Sequence, residues 1–408
     1  MKIKLHWQIL LAFILALLSY YFFGEKILFM SYFGVIFISL LKMIIIPLIF
    51  LSVVSGVSSL GTTRKISRIG TKTLLYYFTT SMIAITIGLV LTNIIQPGNT
   101  VQISSNIEPF DVSRLSKPDS LFDIVIRMIP TNIFNSLSSG NILPIIFFSI
   151  VFGIGLLKLS ESKKSNLLPI INEMFEIVTL ITNFIIKLSP IGVFGLIIKS
   201  LNSTGLDLFN AVGYYVLTIF LGLSIHLFII LPLILYISTG LSPLMHYKSM
   251  LKALTMAFST SSSGATLPVT MTSVKNNANV SNDVSSFVLP LGSTVNMDGT
   301  ALYECAGVLF ISQIIGIELE FSQQLIIVIT AFLASVGAAG IPSAGLVMIF
   351  IVLDAVGLGN HPQVPIIVGT MLAIDRPLDM MRTMVNVCSD TVGTVIIAKS
   401  EGETVVYK

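Results

Sequence analysis

The chain has 408 residues, 54% of them apolar and only 11% charged, with a mean hydropathy of +0.93 and a formal net charge of +3. Soluble domains carry about a quarter charged residues, so these figures exclude a soluble globular protein and describe an all-α polytopic membrane protein. The basic residues cluster in short loops, as a topology signal would and a nucleic-acid surface would not, and Cys305 and Cys388 lack CxxC or metal spacing, so they read as free core thiols.

The first run, MKIKLHWQILLAFILALL, has the outline of a signal peptide, but no convincing small-residue cleavage site follows, so it reads as a retained first span. Apolar runs near 7–23, 32–60, 73–95, 121–157, 169–199, 207–239, 284–316 and 363–397 are each long enough to cross about 30 Å of hydrocarbon. Arg64, Lys65, Arg68 and Lys72 follow the second run, Lys158, Lys163 and Lys164 the fourth, and Lys248 and Lys252 the sixth. Every second loop is thus basic, which predicts eight crossings with both termini in the cytoplasm. On the third span, Tyr77, Thr80 and Ser81 form a polar patch at i, i+3, i+4 spacing, a pattern more often helix–helix glue than a site.

Two apolar segments do not suit simple spans. Residues 251–274 break at Ser259–Ser263 and Pro268, and residues 322–352 break at GAAGIPSAG. Both read as re-entrant helical hairpins, since irregular backbone at membrane depth is tolerated only where it lines a cavity. Hairpin-then-helix, twice and with opposite entry, follows the inverted-repeat logic of secondary transporters; the alternative is one kinked span in each place. The serine run offers hydroxyls and free backbone N–H groups suited to an anion. Reading Ser263-Gly264 as a hydrolase nucleophile requires a nearby base, and the mid-span His226 sits in no matching motif, so no catalytic residue is assigned.

The seventh span contains GSTVNMDGTALYE, residues 292–304, in which Asn296, Asp298 and Thr300 recur every second residue. No continuous helix puts such a set on one face. An unwound stretch whose carbonyls and Asp298 cage a hard monovalent cation is the economical reading, with a solvated Asp-Gly turn as the alternative. In the eighth span, Asp375, Asp379, Arg382, Asn386 and Asp390 fall within an arc of roughly 80°. Each charge at mid-bilayer costs about 2.5–3.5 kcal/mol on insertion scales, so the stripe needs partners. Arg382 offers a planar fork for a carboxylate and Asp379 the opposite charge for an ammonium. Asp390 and the Asn386 carbonyl would serve a cation. The alternative is an internal Asp379–Arg382 ion pair that only holds helices together.

Together the segments TSSSGATLP (260–268), NMDGTALYE (296–304), GIPSAG (340–345) and DRPLDMMRTMVNVCSD (375–390) resemble, in order and spacing, the glutamate transporter family of dicarboxylate/amino acid:cation symporters. The resemblance covers essentially the whole chain. It implies a homotrimer in the inner membrane, with a scaffold of residues 1–60 and 121–200. A transport domain of residues 73–95 and 207–408 would carry the substrate by an elevator-like movement. It further implies that Arg382 binds a side-chain carboxylate, Asp379 an α-ammonium, and Asn386 with Ser261 and Ser263 an α-carboxylate. Thr300 and Thr383 would complete the pocket under a lid around Ile341 and Gly345. One sodium site would use Asp390 with carbonyls of Gly292, Asn296 and Asn386. A second would use Thr294 and Met297 with Ser335, Val336 and Ala338. A third would use Asp298 and Asn296 with Tyr77, Thr80 and Ser81.

The chain departs from the family at two places. Archaeal members carry an arginine where this chain has Ser261, and animal members carry one where it has Met380. Arg376 stands ready to take over a gating or charge-pairing role. Glu304 matches the acidic position that animal members use in proton coupling; the alternative is a glutamate satisfied by neighbouring helices. The expected function is sodium-driven import of glutamate or aspartate, with a proton contribution, and with no cofactor or nucleic acid. A proton-driven C4-dicarboxylate symporter keeps the fold but leaves Asp379 facing its substrate unpaired. A substrate-gated anion channel is the reading from another class.

Overall fold

The computed structural model describes residues 5–58, 64–100, 126, 128–204, 207–337 and 344–407, and every element among them is helical. Four stretches are long and apolar enough to cross a membrane: Trp7–Ser58, Arg68–Thr100, Glu161–Lys187 and Asp207–Thr239. The first holds two helices, α1 (Leu5–Phe23) and α2 (Ser31–Ser58), joined by the 3-10 turns of Gly24–Met30. Leu11, Ile14, Leu15 and Leu18 form an exposed stripe at helical spacing on α1, as Ile170, Met174, Ile177, Ile181 and Phe184 do further on. Large apolar side chains in such rows belong against lipid.

The next elements are α3 (Arg64–Ile95), α4 (Ile133–Ser139), α5 (Ile142–Leu157), α6 (Glu161–Lys187) and α7 (Ser189–Thr204). The expected run 121–157 begins outside the described residues and is divided at Gly140, whose φ of +74° ends α4 in the left-handed region. The expected span 169–199 is also divided, turning at Leu188 between α6 and α7. Helix α2 packs along α5, α6 and α7, and α1 packs on α7. The α2–α7 contact is nearly backbone to backbone: a Cβ on Gly195 would lie 2.6 Å from the Gly34 nitrogen. Close approach of this kind is what small residues allow between apolar helices.

A second packing group holds the remaining helices. Helix α8 (Asp207–Ile225) passes through one π turn, His226–Ile230, into α9 (Leu231–Thr239). The first hairpin is α10 (Pro243–Thr260) and α11 (Ser263–Ala278), packed side by side. Its break is at Ser261–Ser262, whereas Pro268 lies inside α11. The proline sits in the second turn of that helix, where the serine run has already supplied the break. Ser261 takes a left-handed φ of +53°, and Ser262 caps α11 by accepting the Ala265 N–H at 3.1 Å.

The expected span 284–316 is two helices, α12 (Asn282–Val295) and α13 (Asp298–Ile314). The second segment expected as a hairpin holds α14 (Phe321–Gly337) and α15 (Ala344–Ala355), which pack on each other; the residues between them, including Ala338 and Ile341, lie outside the described residues. The expected span 363–397 is α16 (Val364–Ile374) and α17 (Arg376–Ser400). Asp375 marks their junction because Pro377 has no N–H to continue the ladder. Helices α3, α10 to α13 and α17 pack on one another, while α14, α15 and α16 also touch the first group through α2 and α7.

Candidate functional site

The expected seventh span is interrupted between α12 and α13. The backbone leaves the helix only at Asn296 (φ −94°, ψ 88°) and Met297 (φ −118°, ψ 56°). Asp298 and Thr300 are therefore not unwound, as the alternating pattern suggested; they occupy the first turn of α13. The break still does what such a break does, because it aims the N-terminal N–H groups of α13 inward. The Gly299 N–H donates to Asn386 Oδ1 at 2.8 Å, which anchors α13 to the middle of α17.

The charged stripe of α17 is buried and partly self-paired. Arg382 Nη2 donates to Asp379 Oδ1 at 2.9 Å and to Asp375 Oδ2 at 3.1 Å, and Arg376 Nη1 donates to Asp379 Oδ2 at 3.2 Å. The internal ion pair weighed from the sequence thus exists, and it gives Asp375 and Arg376 partners. It does not use up the guanidinium. Nε and Nη1 of Arg382 have no hydrogen-bond partner among the described residues. The guanidinium carbon stands 3.7 Å from the Tyr303 ring centroid, a cation–π contact that sequence spacing did not reveal.

Beside Arg382 lie Gly345 and Thr300, with Asn386 and Thr383 joined to the same region through Thr300 and Asp379. A Cβ on Gly345 would lie 3.0 Å from Arg382 Nη1 and 3.3 Å from Thr300 Cγ2, so an added methyl there would press on both. Asn386 Nδ2 donates to Thr300 Oγ1 at 3.3 Å, and Thr383 Oγ1 donates back to the Asp379 carbonyl at 2.9 Å. Ser261 and Ser263 are buried at the first hairpin's tip, and the Ser261 hydroxyl has no partner among the described residues. Both carboxylate oxygens of the fully buried Glu304 likewise lack a partner. An acid held dry without a donor is costly, which sets it apart from a glutamate satisfied by neighbouring helices.

The oxygen-rich side of the region lies between α3, α12, α13 and α17. Asp298 Oδ1 accepts from Ser81 at 2.7 Å and from Thr80 at 3.3 Å, so the weak patch of the third span does meet the acid. Asn296 Nδ2 donates to Asp390 Oδ1 at 2.9 Å and to Ser389 Oγ at 3.0 Å, leaving Asn296 Oδ1 as a buried acceptor without a donor. Tyr77 gives its hydroxyl hydrogen to the Val288 carbonyl at 2.8 Å, and its oxygen would lie 2.5 Å from a Cβ on Gly292. Asp390 Oδ1 would be closer still, at 2.4 Å, so Gly292 admits both side chains. The Gly292 carbonyl itself accepts the Asn296 N–H at 2.9 Å.

Thr294 and Val336 face a common cavity of about 240 Å³, whereas the Met297 sulfur turns toward Thr300 and Asn386. Ser335 spends its hydroxyl on the Phe332 carbonyl at 2.7 Å. Among the described residues no three acid, histidine or cysteine side chains converge, so the donor sets are mainly neutral oxygens with single carboxylates. Such sets suit a monovalent hard cation better than a divalent one.

One residue was missed outright. His226 Nε2 lies 3.0 Å from Asp298 Oδ2, both groups fully buried. A titratable group alone in an apolar run is itself the signal that a partner exists, although its identity, 72 positions away, is a matter of packing.

Residues 5–400 match the family model described as the Sodium:dicarboxylate symporter family. The "Proton/sodium-glutamate symport protein" of Geobacillus stearothermophilus is 33% identical over 98% of this chain and 96% of its own length. The "Proton/glutamate-aspartate symporter" of Escherichia coli (strain K12) is 32% identical over 98% of this chain and 93% of its own. "Excitatory amino acid transporter 3" of Mus musculus is 34% identical over 90% and 78% respectively. These matches run through both hairpins, both helix breaks and the charged stripe, and the chain belongs to the sodium:dicarboxylate symporter family, a family of transporters and not of enzymes.

Proposed function

We propose that the chain is a secondary symporter that takes glutamate or aspartate across the inner membrane on a sodium gradient, with Glu304 adding a proton contribution. The names of the similar proteins support acidic amino acids and either coupling ion. The observation that carries the reading is Arg382: a buried guanidinium whose Nε and Nη1 have no hydrogen-bond partner among the described residues, while Nη2 is held by two acids. A side-chain carboxylate placed at Nη1 gains a charge-assisted bond. An α-ammonium exchanged for one of the two arginine contacts on Asp379 keeps that acid neutralised. A C4-dicarboxylate has no group for Asp379.

The two packing groups support a division into scaffold (α1, α2 and α5 to α7) and carrier (α3, α8 to α13 and α17), with the second hairpin as lid. On this reading the carrier moves against the scaffold, three copies assemble through their scaffolds, and the basic loops keep both termini cytoplasmic. The test is uptake of labelled L-glutamate and L-aspartate into proteoliposomes with sodium and pH gradients varied independently. Concentrative, gradient-dependent uptake is the expected result. Current without concentrative uptake, or stronger competition by succinate than by aspartate, overturns it.

A further inference from the structure

Asp298 is the acid of the first turn of α13 and is wholly enclosed. Its Oδ1 takes the hydroxyls of Ser81 and Thr80, and its Oδ2 faces His226 Nε2 at 3.0 Å. A carboxylate only accepts, so Nε2 carries the ring hydrogen and donates it. Nδ1 is then the acceptor nitrogen, and it has no partner among the described residues. The imidazole therefore makes one directed bond, and that bond ends on Asp298.

The helix that delivers His226 is built irregularly at this point. His226 opens the π turn of α8, and the Leu231 N–H donates to the His226 carbonyl five residues back. Pro232, just beyond, has no N–H to restore the normal ladder. Single π turns of this kind concentrate at functional positions.

We propose that His226 is a positioning residue for the cation site at Asp298, which rests on the sodium-coupled reading above. The bond from Nε2 commits one carboxylate oxygen, so the other is held toward Ser81 and Thr80; two residues before it, Asn296 Oδ1 has no donor among the described residues. Hydroxyls and an imidazole donating from this tautomer are dipoles: they orient Asp298 without cancelling its charge. A lysine at this position would cancel it permanently and remove the need for an ion. A smaller apolar residue would free the carboxylate to turn away. Histidine does neither.

The test uses the purified full chain and reads sodium, with choline as control, through the concentration that gives half-maximal thermal stabilisation. The Hill slope of sodium-dependent glutamate uptake is measured in parallel. His226→Ala is expected to raise the sodium half-concentration by about ten- to a hundredfold, the value of one hydrogen bond to a charged group. It should leave the glutamate KM at saturating sodium within about twofold of the parent. His226→Gln, which keeps an N–H donor at nearly the same reach, should recover most of the loss. His226→Lys should lower the Hill slope by removing one sodium from the count.

Equal sodium half-concentrations in the parent and His226→Ala overturn the inference alone. So does a glutamate KM that worsens as much as the sodium dependence. If the alanine variant does not fold, a lysine variant whose Hill slope and sodium half-concentration both match the parent's overturns it as well. A parent protein that sodium fails to stabilise overturns the coupled-ion reading and this assignment together.

Discussion

Arg382 joins a structural ion-pair role to the binding role proposed for it. Its removal strands Asp375 as a buried carboxylate and leaves Asp379 to Arg376, a loss of about 3–5 kcal/mol. Arg382→Cys is therefore expected to lower thermal stability as well as acidic amino acid uptake. Adding Asp375→Asn should return much of the stability but none of the acidic uptake, and neutral amino acids should compete better. Thermal melts and competition assays on the single and double variants separate the two roles. Glu304, with no donor to either oxygen among the described residues, predicts a different split: Glu304→Gln should keep sodium-dependent exchange while uptake loses its response to an imposed pH gradient. The stripe itself was legible because five polar residues repeat on the helical period inside an apolar run. The partners were less so. Asp375 shares Arg382 across a junction that Pro377 creates, and the Tyr303 and His226 contacts join segments that no local pattern links.

At the scale of elements, the irregularities locate the site better than the helices do. Both hairpins could be read from small residues interrupting apolar runs, but their edges could not. Pro268 was an obvious breaker, yet the turn sits at Ser261–Ser262, where side-chain hydroxyls compete for backbone donors and a cap is available. The break at Asn296–Met297 is shorter than the alternating polar pattern suggested, because an N-terminal helical turn can present Asp298 and Thr300 without unwinding. The end of the chain was not legible at all. Beyond α17, the Val406 N–H donates to the Ala278 carbonyl at 3.3 Å, the Ser281 N–H to Glu403 at 2.9 Å, and Tyr407 meets His246 at 2.9 Å. Glu401 joins this strap to α3 through Arg68 and Lys72. Hydrogen bonds from Arg68 and then Lys72 hold the Glu401 carboxyl below its ordinary value. Its contribution is therefore complete above the unfolded value of about 4.3 and fades as pH falls through the lower folded one. Thermal melts from about pH 6 to pH 3 should show the parent losing stability faster than Glu401→Gln in that acidic window, and equally above it.

For the whole molecule, the decisive question is what joins the two packing groups, since the carrier movement proposed above would have to break those contacts in every cycle. Lys42 is the charged residue of α2, and it reaches across to the second group. Its Nζ donates to the Gly359 carbonyl at 3.0 Å and stands 5.5 Å from the Phe350 ring centroid. Asp354, at the end of α15, packs so tightly on Gly359 that a Cβ there would lie 1.5 Å from its Oδ1. This corner therefore holds one rigid acceptor for one mobile cation. A bond present in one arrangement and absent in another shifts the balance between them by its own worth, which for a partly exposed charge-assisted bond is about 1 kcal/mol or a little more. Lys42→Met should consequently move the population of carriers away from this arrangement about five- to tenfold. Spin labels on α7 and α17, whose separation reports the position of the proposed carrier against the scaffold, would read that shift directly. Unchanged distance distributions would mean that the carrier does not slide past α2, and that the two packing groups travel as one body.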